Sequence, residues 1–88
     1  MRETNNSDKL FKFILKAMRN HYKPDLHTFI ISIIGGNAYV ECRQHEVYIE
    51  TRTYDINGNE TKTEWCGSAI AAANRLEKLG ADYMSIDM

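Results

Sequence analysis

The stretch "HTFIISIIGGNAYVECRQHEVYIETRTYD", residues 27–55, constrains the fold of this chain more than any other. Its apolar residues recur every second position, the period of a strand buried on one face. Two short polar interruptions divide it, and the alternation must agree across both, because a slip of one residue turns every side chain to the wrong face. If Gly35-Gly36 is a two-residue turn, Ile33 faces Ala38, Ile31 faces Val40 and Phe29 faces Cys42. If Gln44-His45 is the next turn, Cys42 faces Val47, Val40 faces Ile49 and Arg43 faces Glu46. Both pairings place Phe29, Ile31, Ile33, Ala38, Val40, Cys42, Val47 and Ile49 on one face. The other face then carries Thr28, Ile30, Ser32, Ile34, Tyr39, Glu41, Arg43, Glu46, Tyr48, Glu50, Arg52 and Tyr54.

The strand that ends this stretch runs on into a polar hairpin, "YIETRTYDINGNETKTEWC", residues 48–66. Asn57-Gly58 as a type I′ turn would set Asp55 against Glu60, two like charges. A three-residue loop, Asn57-Gly58-Asn59, would instead pair Arg52 with Glu64 and bring Trp65 onto the core face beside Thr51. The longer loop is the expectation. From Thr53 to Thr63 there is almost nothing apolar to bury, so the distal hairpin is expected to project beyond the sheet as a contact site.

Helices flank the strands. From Ser7 to Tyr22, after a cap at Asn6 or Ser7 and before the stop at Lys23-Pro24, the residues Leu10, Phe11, Phe13, Ile14, Leu15, Ala17, Met18 and Tyr22 cover more than half of a helical circumference. Lys9, Lys12, Lys16, Arg19 and Lys23 share the opposite side as a basic stripe. A second helix is expected from Gly67-Ser68 to Gly80, a left-handed stop, with Ala69, Ala72, Ala73, Leu76 and Leu79 inward. In "DYMSIDM", residues 82–88, Met84, Ile86 and Met88 alternate with Tyr83, Ser85 and Asp87, as in a half-buried final strand. The fold class is therefore α+β: an antiparallel meander of four to five strands with two helices on one face, in the order α-β-β-β-β-α-β. With 88 residues, 43% of them hydrophobic, the chain holds one core, hence one domain over 1–88 with a flexible 1–6, and little room for a deep pocket.

The order helix, three antiparallel strands, helix, together with "GSAIAAANRLEKLG", residues 67–80, resembles the double-stranded-RNA-binding domain, whose last helix has a similar alanine-rich run ending in Leu and Gly. The resemblance implies RNA binding. In that family lysines at the start of this helix grip phosphates. Here Ser68, Ala69, Ala71 and Ala72 occupy the region, and no site residue carries over.

Little in the sequence points to catalysis. Cys42 belongs to the apolar row. Cys66, beside Trp65 at a helix start, is the better nucleophile candidate, since helix amides lower a thiol pKa, but no base accompanies it. His21, His27 and His45 lack metal-ligand spacing, so neither metal nor cofactor is expected. Glu41, Glu46 and Glu50 interleave with Arg43 and Arg52 as a cross-paired surface rather than an acid/base dyad. No apolar run of membrane length or signal peptide is evident, so a cytoplasmic protein away from membranes is expected.

Net charge is −1, but residues 1–24 hold six basic against two acidic side chains and the remainder five against ten. The expected function is that of a small non-enzymatic protein-binding module, an inhibitor or regulator in the style of phage or mobile-element proteins such as anti-CRISPR or anti-restriction factors. It would act through Tyr39, Glu41, Tyr48, Glu50, Arg52, Tyr54, Asn57 and Lys62. Self-association through the open face or the final strand would give a homodimer. The alternative is nucleic-acid binding through Lys9, Lys12, Lys16, Arg19 and Lys23.

Overall fold

The computed structural model describes residues 6–19 and 28–87, apart from the side chain of Asp55. The elements run α1 (Asn6–Arg19), β1 (Thr28–Ile33), β2 (Gly36–Cys42), β3 (Val47–Asp55), β4 (Gly58–Cys66) and α2 (Ala69–Lys78), followed by a short 3-10 helix at Tyr83–Ser85. The four strands form one antiparallel sheet in the order β1-β2-β3-β4. The expected end of α1 at Tyr22, the stop at Lys23-Pro24 and Met88 lie outside the described residues, and so does the segment 1–6 expected to be flexible, except for Asn6, which opens α1.

The apolar row becomes the core as its alternation requires. Phe29, Ile31, Ile33, Ala38, Val40, Cys42, Val47 and Ile49 are buried together with Leu10, Ile14, Ala17 and Met18 of α1 and Ala69, Ala72, Ala73 and Leu76 of α2. Both helices thus share one core with a single face of the sheet. Leu10, Ile14, Ile31, Ile49 and Leu76 are wholly inaccessible to solvent, and burial of each is worth roughly 2–3 kcal/mol. Alanines on α2 let its backbone lie close to its neighbours, while Phe13 fills the space beside β1 through an edge-on contact with Phe29, centroids 4.9 Å apart.

The link between β2 and β3 has the expected register, with Cys42 opposite Val47 and Val40 opposite Ile49. The first hairpin differs. Ile34-Gly35 form its turn, so Ile33 pairs with Gly36, Ile31 with Ala38 and Phe29 with Val40. Gly35 takes the positive φ, 80°, that the third position of such a turn demands. Gly36 is drawn into the ladder, where its backbone approaches β3 so closely that a Cβ would stand 1.9 Å from the Arg52 carbonyl oxygen. The shift is by two residues across the pair, so the faces survive it.

The last hairpin corrects the sequence reading more deeply. Ile56-Asn57 form the turn and Asp55 pairs with Gly58. Positive φ falls on Gly58, at 128°, rather than on Asn57, so the turn is not type I′. Glu60 then faces Thr53, and Arg52 faces Thr61 rather than the Glu64 that the three-residue loop would have set against it. Trp65 sits opposite Tyr48 on the open face and is 62% exposed. The hairpin also projects less than expected, because β2 backs β3 as far as Thr53 and Gly35 accepts the Tyr54 N–H at 2.9 Å.

Helix α2 is capped by Ser68, whose Oγ accepts the Ala71 N–H, and Gly80 follows its end with φ 82°. The expected fifth strand is instead the 3-10 helix and one antiparallel bridge between Asp87 and Ile30. Asp82 nucleates that helix by accepting the Met84 N–H, and local capping of this kind wins over the alternation of a short segment. Asn6, read as a cap for α1, reaches across the helix layer: its amide donates to Glu77 at 2.6 Å and to the Ala81 carbonyl at 2.7 Å, and its Oδ1 accepts the Tyr83 N–H.

Candidate functional site

Because both helices lie on one side, the other face of the sheet is covered by no described element. It is concave. A groove of about 570 Å³ is lined by Ile30, Tyr39, Glu41, Tyr48, Glu50 and Arg43, with Thr28, Thr63 and Asp87 at its margins. Strands β1 to β3 supply most of its lining, and Asp87, bridged to Ile30, closes one margin.

Its side chains are held in two like-built stacks. Arg43 binds Glu41 at 2.6 Å and lies over the Tyr48 ring, 4.7 Å from its centroid; Tyr48 in turn donates its phenol to Glu46 at 2.7 Å. Arg52 binds Glu50 at 2.6 Å and lies over the Tyr39 ring at 4.2 Å. Each carboxylate and its arginine are two apart in sequence, Glu50 and Arg52 within β3 and Glu41 and Arg43 at the end of β2 and just past it, and so share one face. Stacked guanidinium on tyrosine orders both side chains before any ligand arrives. The hydrogen bond to Glu46 raises the Tyr48 phenol above its ordinary range, since ionisation would set two anions together, and the Glu41 and Glu50 carboxylates raise the two guanidinium groups further.

Of the residues singled out in the sequence, Tyr39, Glu41, Tyr48 and Glu50 line the groove and Arg52 stacks beside it. Tyr54 is exposed further along β3, and Asn57 is exposed at the hairpin tip. Lys62 is separate: it pairs with Thr51 on the helix side of β4, with its Nζ 3.5 Å from Glu64. No family model, curated protein or solved structure matches the chain significantly. Its fourth strand, between the third strand and the last helix, separates it from the helix, three strands, helix order of the double-stranded-RNA-binding domain.

The basic stripe is present over the described part of α1. Lys12, Lys16 and Arg19 are exposed, and Lys9 lies 5.9 Å from the centre of the Tyr83 ring. Lys23 lies outside the described residues, as do His21 and His27. Neither thiol is activated, and the lowering that a helix start could give Cys66 is absent. Burial pushes Cys42 up to about 12, and burial with the nearby Glu64 carboxylate raises Cys66 despite Arg75. Among the described residues no three His, Cys, Asp or Glu side chains are grouped to hold a metal ion, and no helix is long and apolar enough to cross a membrane.

The alternation placed Ile30 and Arg43 on this face without naming them as contact residues, and it missed Thr63 and Trp65 as parts of it. Arg43 was legible from its two-residue spacing to Glu41; Thr63 and Trp65 depended on the hairpin register.

Proposed function

We propose that this protein is a non-enzymatic module that occupies the surface of a partner protein with the open face of its sheet, as an inhibitor or regulator. The supporting observation is the groove lined by Tyr39 and Tyr48, whose rings are pre-ordered under Arg52 and Arg43. Tyrosine and arginine carry a large share of binding energy at protein interfaces, because they bury area and make directed contacts at modest entropic cost. The lining is mixed, with apolar rings among paired charges, which suits a folded surface better than a small apolar ligand. Glu41, Glu46 and Glu50 oppose phosphate at this face. Inhibition of host machinery by a phage or mobile-element protein is one setting in which such a module acts.

Affinity capture from the native host, with wild type beside Tyr39→Ala/Tyr48→Ala and mass measurement of the intact complex, tests the reading. A partner held by wild type and released by the double variant is expected. Equal capture by both folded proteins would overturn it.

A second reading rests on α1, where Lys12, Lys16 and Arg19 are exposed with no ion pair among the described residues. These cations would contact nucleic-acid phosphates. Affinity for duplex or single strands that falls steeply with salt, and is lost in Lys12→Ala/Lys16→Ala/Arg19→Ala, would favour it; absence of binding at low salt would exclude it.

A further inference from the structure

The two edges of the sheet are treated differently. On β1 the outward backbone groups are occupied by the C-terminal segment: Ile30 exchanges both bonds with Asp87 at 2.9 and 2.8 Å, the Ser32 N–H donates to Ser85 Oγ and its carbonyl accepts from Asp82, and the Ile34 N–H donates to the Leu79 carbonyl. On the other side β4 has, among the described residues, only β3 as a neighbour. Tyr54 gives its N–H to Gly35, away from β4, so Tyr54 and Asn59 are a non-hydrogen-bonded pair. By alternation Asn59, Thr61, Thr63 and Trp65 turn their N–H and C=O groups outward along a nine-residue strand. Unsatisfied edges of this length template the addition of another strand.

The side chains select the strand. Glu60, Lys62 and Glu64 alternate on one face of β4, between Asn59, Thr61, Thr63 and Trp65 on the other. We infer that β4 pairs antiparallel with β4 of a second copy about a two-fold axis at Thr61, joining two sheets into one of eight strands. In this register Glu60 lies opposite the second copy's Lys62, and Lys62 opposite its Glu60. Thr61 meets Thr61, and Asn59 meets Thr63. Gly58 comes opposite the second copy's Glu64, so the hairpin tip, with its fully exposed Ile56, ends near the exposed Trp65 at the base of the other hairpin, and one symmetry operation makes this approach twice. About six backbone hydrogen bonds form across the junction. A lysine on an edge strand ordinarily discourages pairing; here the facing Glu60 makes it the residue that fixes register. An axis at Thr63 would instead set Lys62 against Glu64, which Arg75 already holds in two hydrogen bonds.

With the axis normal to the sheet, both open grooves face the same side. Of the edge residues Asn59, Thr61, Thr63 and Trp65, Thr63 lines the groove, at its margin, and Tyr39 and Tyr48 lie off the edge, so a monomer that still captures its partner would overturn this inference alone.

Sedimentation velocity over a concentration series, at low and moderate salt, tests it. Wild type is expected to sediment at twice the chain mass. Glu60→Lys and Lys62→Glu should each weaken association at least tenfold, and the double variant Glu60→Lys/Lys62→Glu should restore it. Thr61→Pro, which removes an outward N–H that β3 does not use, should abolish it with circular dichroism unchanged. A chain monomeric at every concentration, a double variant no better than the singles, or tighter association in Lys62→Ala would overturn the pairing.

Discussion

Arg75 on α2 and Glu64 on β4 close a bidentate ion pair, Nε to Oε2 at 2.6 Å and Nη2 to Oε1 at 2.7 Å, that fastens the outermost strand to the helix layer. The arginine holds the Glu64 carboxyl below its ordinary range. A carboxyl with a depressed folded pKa adds stability that is fully present above its unfolded value and is lost as pH falls through the folded one. Wild type should therefore lose about 0.5–1 kcal/mol more than Arg75→Met between neutral pH and the acid side of about 4. Urea denaturation at several pH values measures the difference; parallel curves would show that the pair contributes nothing to the acid limb.

Gly36→Ala should destabilise the fold by about 2 kcal/mol or more, because its Cβ would meet backbone of β3 that cannot move aside without opening the ladder. Thermal unfolding checks this, with Asn37→Ala, the next residue of the same strand, as the comparison.

The Tyr48 phenol should ionise later than an exposed tyrosine, and Glu46→Gln should return it toward the ordinary value, since its hydrogen bond to Glu46 is the main cause of the shift. Spectrophotometric titration of a Tyr48→Phe difference pair isolates the group. An unshifted phenol would mean that the Arg43, Tyr48 and Glu46 stack is not held together in solution.

Both thiols should resist alkylation in the folded protein at neutral pH. Cys42 should modify only on unfolding, as its neighbours are core side chains and burial pushes its pKa to about 12. Cys66 should react slowly and Cys66→Ser should bind partner unchanged. Mass spectrometry after timed quenching distinguishes the two, and rapid labelling of Cys66 would revive a nucleophilic role.

The sheet and its buried face were legible because one alternation had to satisfy two hairpins, and even the shift from Gly35-Gly36 to Ile34-Gly35 moved partners without moving faces. The β3 and β4 hairpin offered no such redundancy. With Thr, Glu and Lys on both sides, no hydrophobic cost selects a register, and turn geometry alone turned Trp65 outward. The segment after α2 misled for a different reason: six alternating residues are too few to outweigh the Asp82 cap. Tyr39, Glu41, Tyr48 and Glu50 were placeable on one face from spacing, whereas the stacking of Arg43 and Arg52 over the rings depends on cross-strand distances that no linear pattern carries.

Every strand pairs with its neighbour in sequence, while α1 must find α2 across the whole meander. Closing a short hairpin costs little chain entropy and closing the interval between the helices costs more. The strands are thus expected to zip before the helix layer seals them, with β2 and β3 amides protected earlier than those of α1 in pulsed hydrogen exchange; simultaneous protection would contradict that order. Until α1 docks, Val40, Val47 and Ile49 face water on a completed sheet, and this interval, rather than the native state, is when the chain is most exposed to aggregation.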